Sequence, residues 1–174
     1  MPEEDAHNEG PGLIRNARPG DLPAIVAIYN AAIPGRMATA DTEPVTVGAR
    51  EPWYLEHAPD RHPLFVREHR DQVVGWLSLS PFYGRPAYAA TAEVSVYVDP
   101  GSHRKGHGTA LLKEALQRAP EIGLETLLAF VLGHNRPSLL LFEKLGFSEW
   151  GRLPRVARLD GVDRDLSILG RRVA

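Results

Sequence analysis

The chain of 174 residues contains no cysteine, which excludes disulfide bonds, thiolate metal ligands and a cysteine nucleophile. No apolar run approaches the roughly 20 residues that a membrane-spanning helix needs, so we expect no transmembrane segment. The formal net charge of -2 lacks the basic excess that binding to a nucleic-acid backbone requires. Residues 1–11 are polar and acidic, unlike a signal peptide, and we therefore expect a cytoplasmic protein.

The composition is that of one ordinary globular domain, with 43% hydrophobic and 24% charged residues. We expect residues 1–12 to be a disordered tail and residues 13–174 to be a single mixed α/β domain. Asp21 is a candidate N-cap, and Pro120 is a candidate helix terminator. Hydrophobic spacing predicts helices near 22–33, 47–57, 107–118 and 135–145, and strands near 13–17, 63–69, 73–79, 91–98, 124–132, 147–151 and 165–169.

A glycine-rich turn joins the predicted strand at 91–98 to the following helix. Its sequence is Asp99-Pro100-Gly101-Ser102-His103-Arg104-Lys105-Gly106-His107-Gly108-Thr109. Such a turn leaves backbone N–H groups free at the positive end of a helix dipole, a geometry that binds phosphate oxygens. Glycine also lets a large anion come close to the backbone. The turn therefore predicts a diphosphate site, although a single Gly-x-Gly is equally typical of a sharp strand-to-helix connection.

Several segments in the same order resemble the GNAT superfamily of acetyl-CoA-dependent N-acetyltransferases. The turn matches that superfamily's Gln/Arg-x-x-Gly-x-Gly/Ala pattern with His103 in first place, and Asn135-Arg136-Pro137-Ser138 and Leu145-Gly146-Phe147 follow it. The segments 39–45, 82–98 and 161–165 are similar to the branch that acetylates phosphinothricin and methionine sulfoximine. This resemblance covers residues 14–169, which is nearly all of the chain outside the tail.

The resemblance implies a GNAT fold, in which helices flank a mixed, mostly antiparallel sheet. It also implies that acetyl-CoA lies where the sheet opens into a V between the strands at 91–98 and 124–132. The pantetheine arm would bind β-strand backbone, the diphosphate would bind amides of the turn, and Asn135 would bind the cofactor or cap its helix. The implied cofactor-binding residues are Val96, Tyr97, Val98, His103, Arg104, Lys105, Gly106, His107, Gly108, Thr109, Asn135 and Ser138.

Glu93 is the candidate general base. By the two-residue period of a strand, it shares one face with Ser95 and Tyr97. A carboxylate that is half buried there would have a raised pKa and could take the proton of an amine, directly or through water. The resemblance gives the matching glutamate that role. The pattern alone favours a solvated glutamate on a strand face.

Four residues are candidates for the acceptor pocket: Arg85, Tyr88, Tyr29 and Thr39. A guanidinium can hold a carboxylate by two hydrogen bonds, so Arg85 would suit an amino-acid-like acceptor. An exposed structural arginine is an equal alternative. Asp163 stands where the amino-acid-acetylating branch usually has tryptophan, and an acid in the pocket would favour a cationic acceptor.

The sequence thus predicts an acetyl-CoA-dependent N-acetyltransferase for a small amine, an amino acid or an analogue such as phosphinothricin or methionine sulfoximine. Alternatives are a polyamine, an aminoglycoside or a protein N-terminus as acceptor, or a non-catalytic acyl-CoA-binding module. Phe142 is the reason for the last alternative, the non-catalytic module. In the family that the chain resembles, this position holds Tyr or His as a possible acid for the leaving thiolate, and Phe cannot donate a proton. The histidines show no metal-ligand spacing, so no metal is expected, and the resemblance implies a homodimer.

Overall fold

The computed structural model describes residues 12–174, so most of the predicted tail lies outside the described residues. Four helices and seven strands make up this part of the chain. In chain order they are β1 (Leu13–Asn16), α1 (Leu22–Ala32), α2 (Val47–Leu55), β2 (Leu64–His69), β3 (Gln72–Pro81), β4 (Thr91–Val98), α3 (His107–Glu121), β5 (Thr126–Leu132), α4 (Arg136–Lys144), β6 (Ser148–Leu159) and β7 (Val162–Arg172).

The strands form one sheet in the order β1-β2-β3-β4-β5-β7-β6. All neighbours are antiparallel except β4 and β5, which run parallel. These two strands pair at only three positions, Thr91, Ala92 and Glu93 with residues 126–128, although both continue for four or five residues more. The predicted V-shaped opening between these strands is therefore present, and the predicted GNAT architecture is confirmed.

Each face of the sheet carries its own apolar core. On one face, α3 and α4 cover a cluster that includes Leu77, Val94, Leu111 and Phe142. On the other face, α1 and α2 cover a second cluster built around Trp76. The side chains of β4 alternate between these two faces of the sheet. Ala92 and Val94 pack into the cluster under α3, whereas Glu93, Ser95 and Tyr97 face the side of the sheet that carries α1. No helix within residues 12–174 is long and apolar enough to cross a membrane.

Asp21 occupies the N-cap position of α1 as predicted, although its side chain makes no capping hydrogen bond, and the predicted role of Pro120 as a terminator was wrong. The Asp21 side chain does not cap α1, because its carboxylate accepts hydrogen bonds from the Arg15 guanidinium at 2.7 and 3.0 Å and from the Arg18 amide at 2.7 Å. Pro120 lies inside α3 and does not end it. The helix ends instead at Glu121, and Gly123 beyond it has a φ of +82° and forms a Schellman motif, in which the Leu124 amide donates to the Ala119 carbonyl.

The last two strands are also longer than predicted. β6 and β7 form a hairpin of 12 and 11 residues, whereas the sequence pattern marked only about five residues of each. β6 is mostly exposed and carries an irregularity between Leu153 and Ala157, so it lacks the regular alternation by which a strand is recognised. Cross-strand pairing with β7 makes it a strand.

Candidate active site

The opening between β4 and β5 is a cavity of about 580 Å³. Backbone and side chains of β4 form one wall, β5 forms the second, and the turn before α3 and the start of α4 close its end. Of the twelve predicted cofactor-binding residues, the structure places eleven on this cavity: Val96, Tyr97, Val98, His103, Arg104, Gly106, His107, Gly108, Thr109, Asn135 and Ser138. Lys105 lies in the same turn but outside the cavity lining.

The turn has the geometry of an anion site. Gly106 has a φ of +80°, and the first hydrogen bond of α3 runs from the Ala110 amide to the Gly106 carbonyl at 3.0 Å. The amides of residues 108 and 109 therefore have no acceptor within the helix. The His103 ring contacts the Val98 carbonyl through Nε2 at 2.9 Å, which ties the turn to β4. A Cβ added at Gly106 would meet nothing within 4 Å, whereas one added at Gly108 would make ordinary contacts with Leu141 and Val98 at 3.4 and 3.7 Å.

The start of α4 closes the cavity, and Asn135 caps that helix. Its side-chain oxygen accepts a hydrogen bond from the Ser138 amide at 3.2 Å, which is the capping role the sequence left open. Phe142, one turn further along the helix, also lines the cavity. It is 2% exposed and packs edge-to-face against Phe147 at 5.0 Å. The position therefore offers an apolar ring and no proton donor.

A second cavity, of about 420 Å³, adjoins the first and contains Glu93. Its other lining is apolar and aromatic, apart from Thr39, Ser95 and two tyrosines. Glu93 is the last residue of β4 that pairs with β5, so its carboxylate lies at the point where the strands separate. Burial raises its pKa above the ordinary 4.5, and no cation within residues 12–174 opposes that effect. A carboxylate that gains a proton easily and has no partner is suited to act as a base.

The loop between α1 and α2 forms the outer wall of this cavity, and a hydrogen-bond network holds it. The Tyr29 hydroxyl donates to the Asp41 carboxylate and lies 2.7 Å from the Thr39 hydroxyl, which in turn accepts from the Asp41 amide at 3.1 Å. The Arg50 guanidinium lies 4.5 Å from the Tyr29 ring centre and 3.7 Å from the Asp41 carboxylate. Thr39 lines the cavity, whereas Tyr29 stands behind it.

Two predicted acceptor residues lie elsewhere. Arg85 and Tyr88 line a third cavity of about 400 Å³, on the loop between β3 and β4, with Phe82 as the wall shared with the Glu93 cavity. Asp163 does not line the Glu93 cavity either. It forms ion pairs with Arg155 at 2.7 Å and Arg158 at 2.8 Å, and these guanidinium groups lower the pKa of its carboxyl group.

Some lining residues were missed by sequence reasoning. Phe130 and Leu132 on β5 and Leu166 on β7 line the Glu93 cavity, because they share the face of the sheet that carries Glu93. These residues come together because β5 pairs with β7, and the local sequence pattern of either strand does not predict that pairing. Ser95 carried a usable signal, since its spacing from Glu93 placed both on one face. Within residues 12–174 no group of three or more histidine and acidic side chains is arranged to hold a metal ion.

Comparisons with known proteins agree with this geometry. The model of the acetyltransferase (GNAT) family matches residues 25–147. A Bacillus subtilis protein, YwnH, named provisionally as a phosphinothricin acetyltransferase, is 52% identical over 162 residues, which cover 92% of this chain and 99% of YwnH. The L-methionine sulfoximine/L-methionine sulfone acetyltransferase of Pseudomonas aeruginosa is 32% identical over 157 residues, or 90% of this chain and 91% of that one.

Solved structures give the same answer. The crystal structure of a phosphinothricin acetyltransferase from Sinorhizobium meliloti in complex with acetyl-CoA superposes with a TM-score of 0.88. It is 27% identical, and the match covers 94% of this chain and 89% of that one. The family model spans most of the described domain, and the shared fold includes the opening between β4 and β5. The chain therefore belongs to the GNAT acetyltransferase family and is an acyltransferase.

Proposed function

We propose that this protein works in the cytoplasm, where it transfers the acetyl group of acetyl-CoA to the amine of a small amino acid or analogue such as phosphinothricin or methionine sulfoximine. The observation that carries the proposal is the position of Glu93, a carboxylate of raised pKa that lies where the two cavities meet and has no hydrogen-bond or ion-pair partner among residues 12–174. The acceptor class is taken from the relatives, whose names specify these compounds.

The residues present fit acetyl-CoA. The amides of residues 108 and 109, which have no acceptor within α3, and the open space at Gly106 suit a diphosphate. Beyond Glu93, the side of β4 that faces β5 offers unpaired backbone to an extended amide-containing arm. Acetyl-CoA would supply a thioester carbonyl as the acyl donor. The amine would bind in the Glu93 cavity, where the carboxylate takes its proton as nitrogen attacks the carbonyl.

A thiol-release assay tests this proposal. Acetyl-CoA is offered with methionine sulfoximine, phosphinothricin, common amino acids, spermidine or an aminoglycoside, and free CoA is measured. Turnover with the sulfoximine or phosphinothricin supports the proposal. Turnover confined to the polycations would leave the enzyme class intact and replace the acceptor class. Binding of CoA with no turnover on any amine would favour a non-catalytic acyl-CoA-binding module.

We also propose a homodimer that uses the outer face of the β6 strand. Trp150, Leu153 and Val156 on this strand are 50%, 42% and 57% exposed, and β6 is an edge of the sheet. Edge strands with exposed apolar side chains are prone to pair with another chain. The expected result is a dimer in sedimentation velocity that Val156→Glu converts to monomer. A wild-type monomer at all concentrations would contradict this.

A further inference from the structure

Acetyl transfer releases a thiolate, and the structure leaves the source of its proton open. An ordinary thiol has a pKa near about 8.5, so the released sulfur is protonated in the product at neutral pH. Phe142, which lines the cofactor cavity, offers no proton. The donor must therefore be sought among the other side chains that reach both the acyl donor and the base.

Five residues line both cavities: Ala38, Ser95, Tyr97, Phe130 and Leu132. Only Ser95 and Tyr97 among them carry an exchangeable side-chain proton. The Tyr97 hydroxyl donates to the Ala38 carbonyl at 3.0 Å, and its ring stacks on Trp76 at 4.7 Å. The Tyr97 hydroxyl proton is therefore already used in a hydrogen bond to the loop between α1 and α2. Burial also raises the pKa of this phenol, which makes it a weaker acid.

Ser95 is placed differently. It follows Glu93 by two residues on the same face of β4, so the two Cα atoms are about 6.5–7 Å apart. This distance lets the two side chains interact directly or through one water molecule. Ser95 is half-buried, and its hydroxyl has no hydrogen-bond partner within residues 12–174. A free hydroxyl thus stands between the base and the cofactor cavity.

We propose that Ser95 returns the amine's proton to the leaving thiolate. The inference rests on the proposed function. Glu93 accepts the proton of the attacking amine as the new C–N bond forms. When the C–S bond breaks, the sulfur takes the Ser95 hydroxyl proton while Ser95 oxygen takes the proton from the Glu93 carboxyl. The amide, neutral CoA thiol, ionised Glu93 and intact serine are the products, so every proton is accounted for.

The test compares Ser95→Ala and Ser95→Thr with a matched control, Ser78→Ala. Ser78 pairs with Ser95 across the β3–β4 ladder but lines neither cavity. Each protein is assayed with acetyl-CoA and with acetyl-seleno-CoA. A selenolate is a better leaving group than a thiolate, so its departure depends less on protonation. CoA affinity by calorimetry and the melting temperature are measured alongside.

With acetyl-CoA, Ser95→Ala should lower kcat by about 100-fold, the low end of the range for a positioned proton donor. CoA affinity should not change, Ser95→Thr should restore most of the rate, and Ser78→Ala should stay within about twofold of wild type. With the selenoester the Ser95→Ala defect should largely vanish. An equal defect of Ser95→Ala with both esters, or unchanged turnover, would overturn the role of Ser95 and leave the proposed function standing. A wild type that acetylates no amine would overturn the proposed function, and the Ser95 role with it.

Discussion

Replacing Glu93 by glutamine tests the catalytic proposal most directly. The change keeps the size of the side chain and removes its basicity. Positioned general bases contribute about 10²–10⁴ in rate, which corresponds to about 2.7–5.4 kcal/mol of transition-state stabilisation. Glu93 lines the acceptor cavity and not the cofactor cavity, so the loss should fall on kcat while the affinity for CoA stays unchanged.

The pH profile provides a second test of the same residue. Burial raises the pKa of Glu93, and its base form is the carboxylate, so wild-type kcat/KM should fall as pH drops through a value above 4.5. The same burial disfavours the ionised carboxylate in the folded protein. Glu93→Gln should therefore melt no lower than wild type at pH 7, and wild type should gain on the variant as pH falls.

The assay is steady-state thiol release at saturating acetyl-CoA between pH 5 and pH 9, with calorimetry for CoA binding. Glu143→Gln is the matched control, because Glu143 is an exposed glutamate on α4 outside both cavities. The reasoning would be refuted if Glu93→Gln retained wild-type kcat. It would equally be refuted if the variant lost turnover only because CoA no longer bound.

Three further predictions follow from other parts of the molecule. Arg50→Met should raise the KM for the amine up to about fivefold, which corresponds to the loss of one exposed cation–π contact, and should leave the KM for acetyl-CoA unchanged. Asp41→Asn should act in the same direction. Equal rises in the KM values for the amine and for acetyl-CoA would contradict this prediction. Gly108→Ala should weaken acetyl-CoA binding in calorimetry while the melting temperature holds or rises, because the position is helical and roomy; loss of folding would contradict this. Asp21→Asn should lower the melting temperature at pH 7, because it removes the ion pair by which the Arg15 guanidinium holds the pKa of the Asp21 carboxyl below its usual value. The difference in melting temperature between wild type and variant should shrink as pH falls through that lowered pKa. A difference that stays constant with pH would contradict this prediction.

The cofactor half of the site was largely predictable from the sequence because it is local. The strand, the glycine-rich turn and the start of α3 are continuous in the chain, and backbone amides at a helix start need no distant partner. Eleven of twelve residues proposed from this segment and from the start of α4 do line one cavity. Lys105 lies in the same turn but not in the cavity lining, so its role as a cofactor-binding residue stays a prediction.

The acceptor half was less predictable because it is assembled from distant segments. Arg85 and Tyr88 precede β4 by only a few residues, yet they line a cavity separate from the one that contains Glu93. Sequence proximity could not reveal that Tyr29 supports Thr39 from behind, because this contact depends on how the loop after α1 folds back over β4.

The fold class, the family and the glycine-rich turn could be read from the amino-acid sequence, since each depends on short-range periodicity or on motifs a few residues long. The pairing of β5 with β7, and with it the apolar wall of Phe130, Leu132 and Leu166 beside Glu93, follows from the tertiary structure. β4 and β5 share only three paired positions, which opens the sheet beside Glu93. The physical reason is that a cavity is a property of packing between segments far apart in the chain, and local patterns carry no record of it.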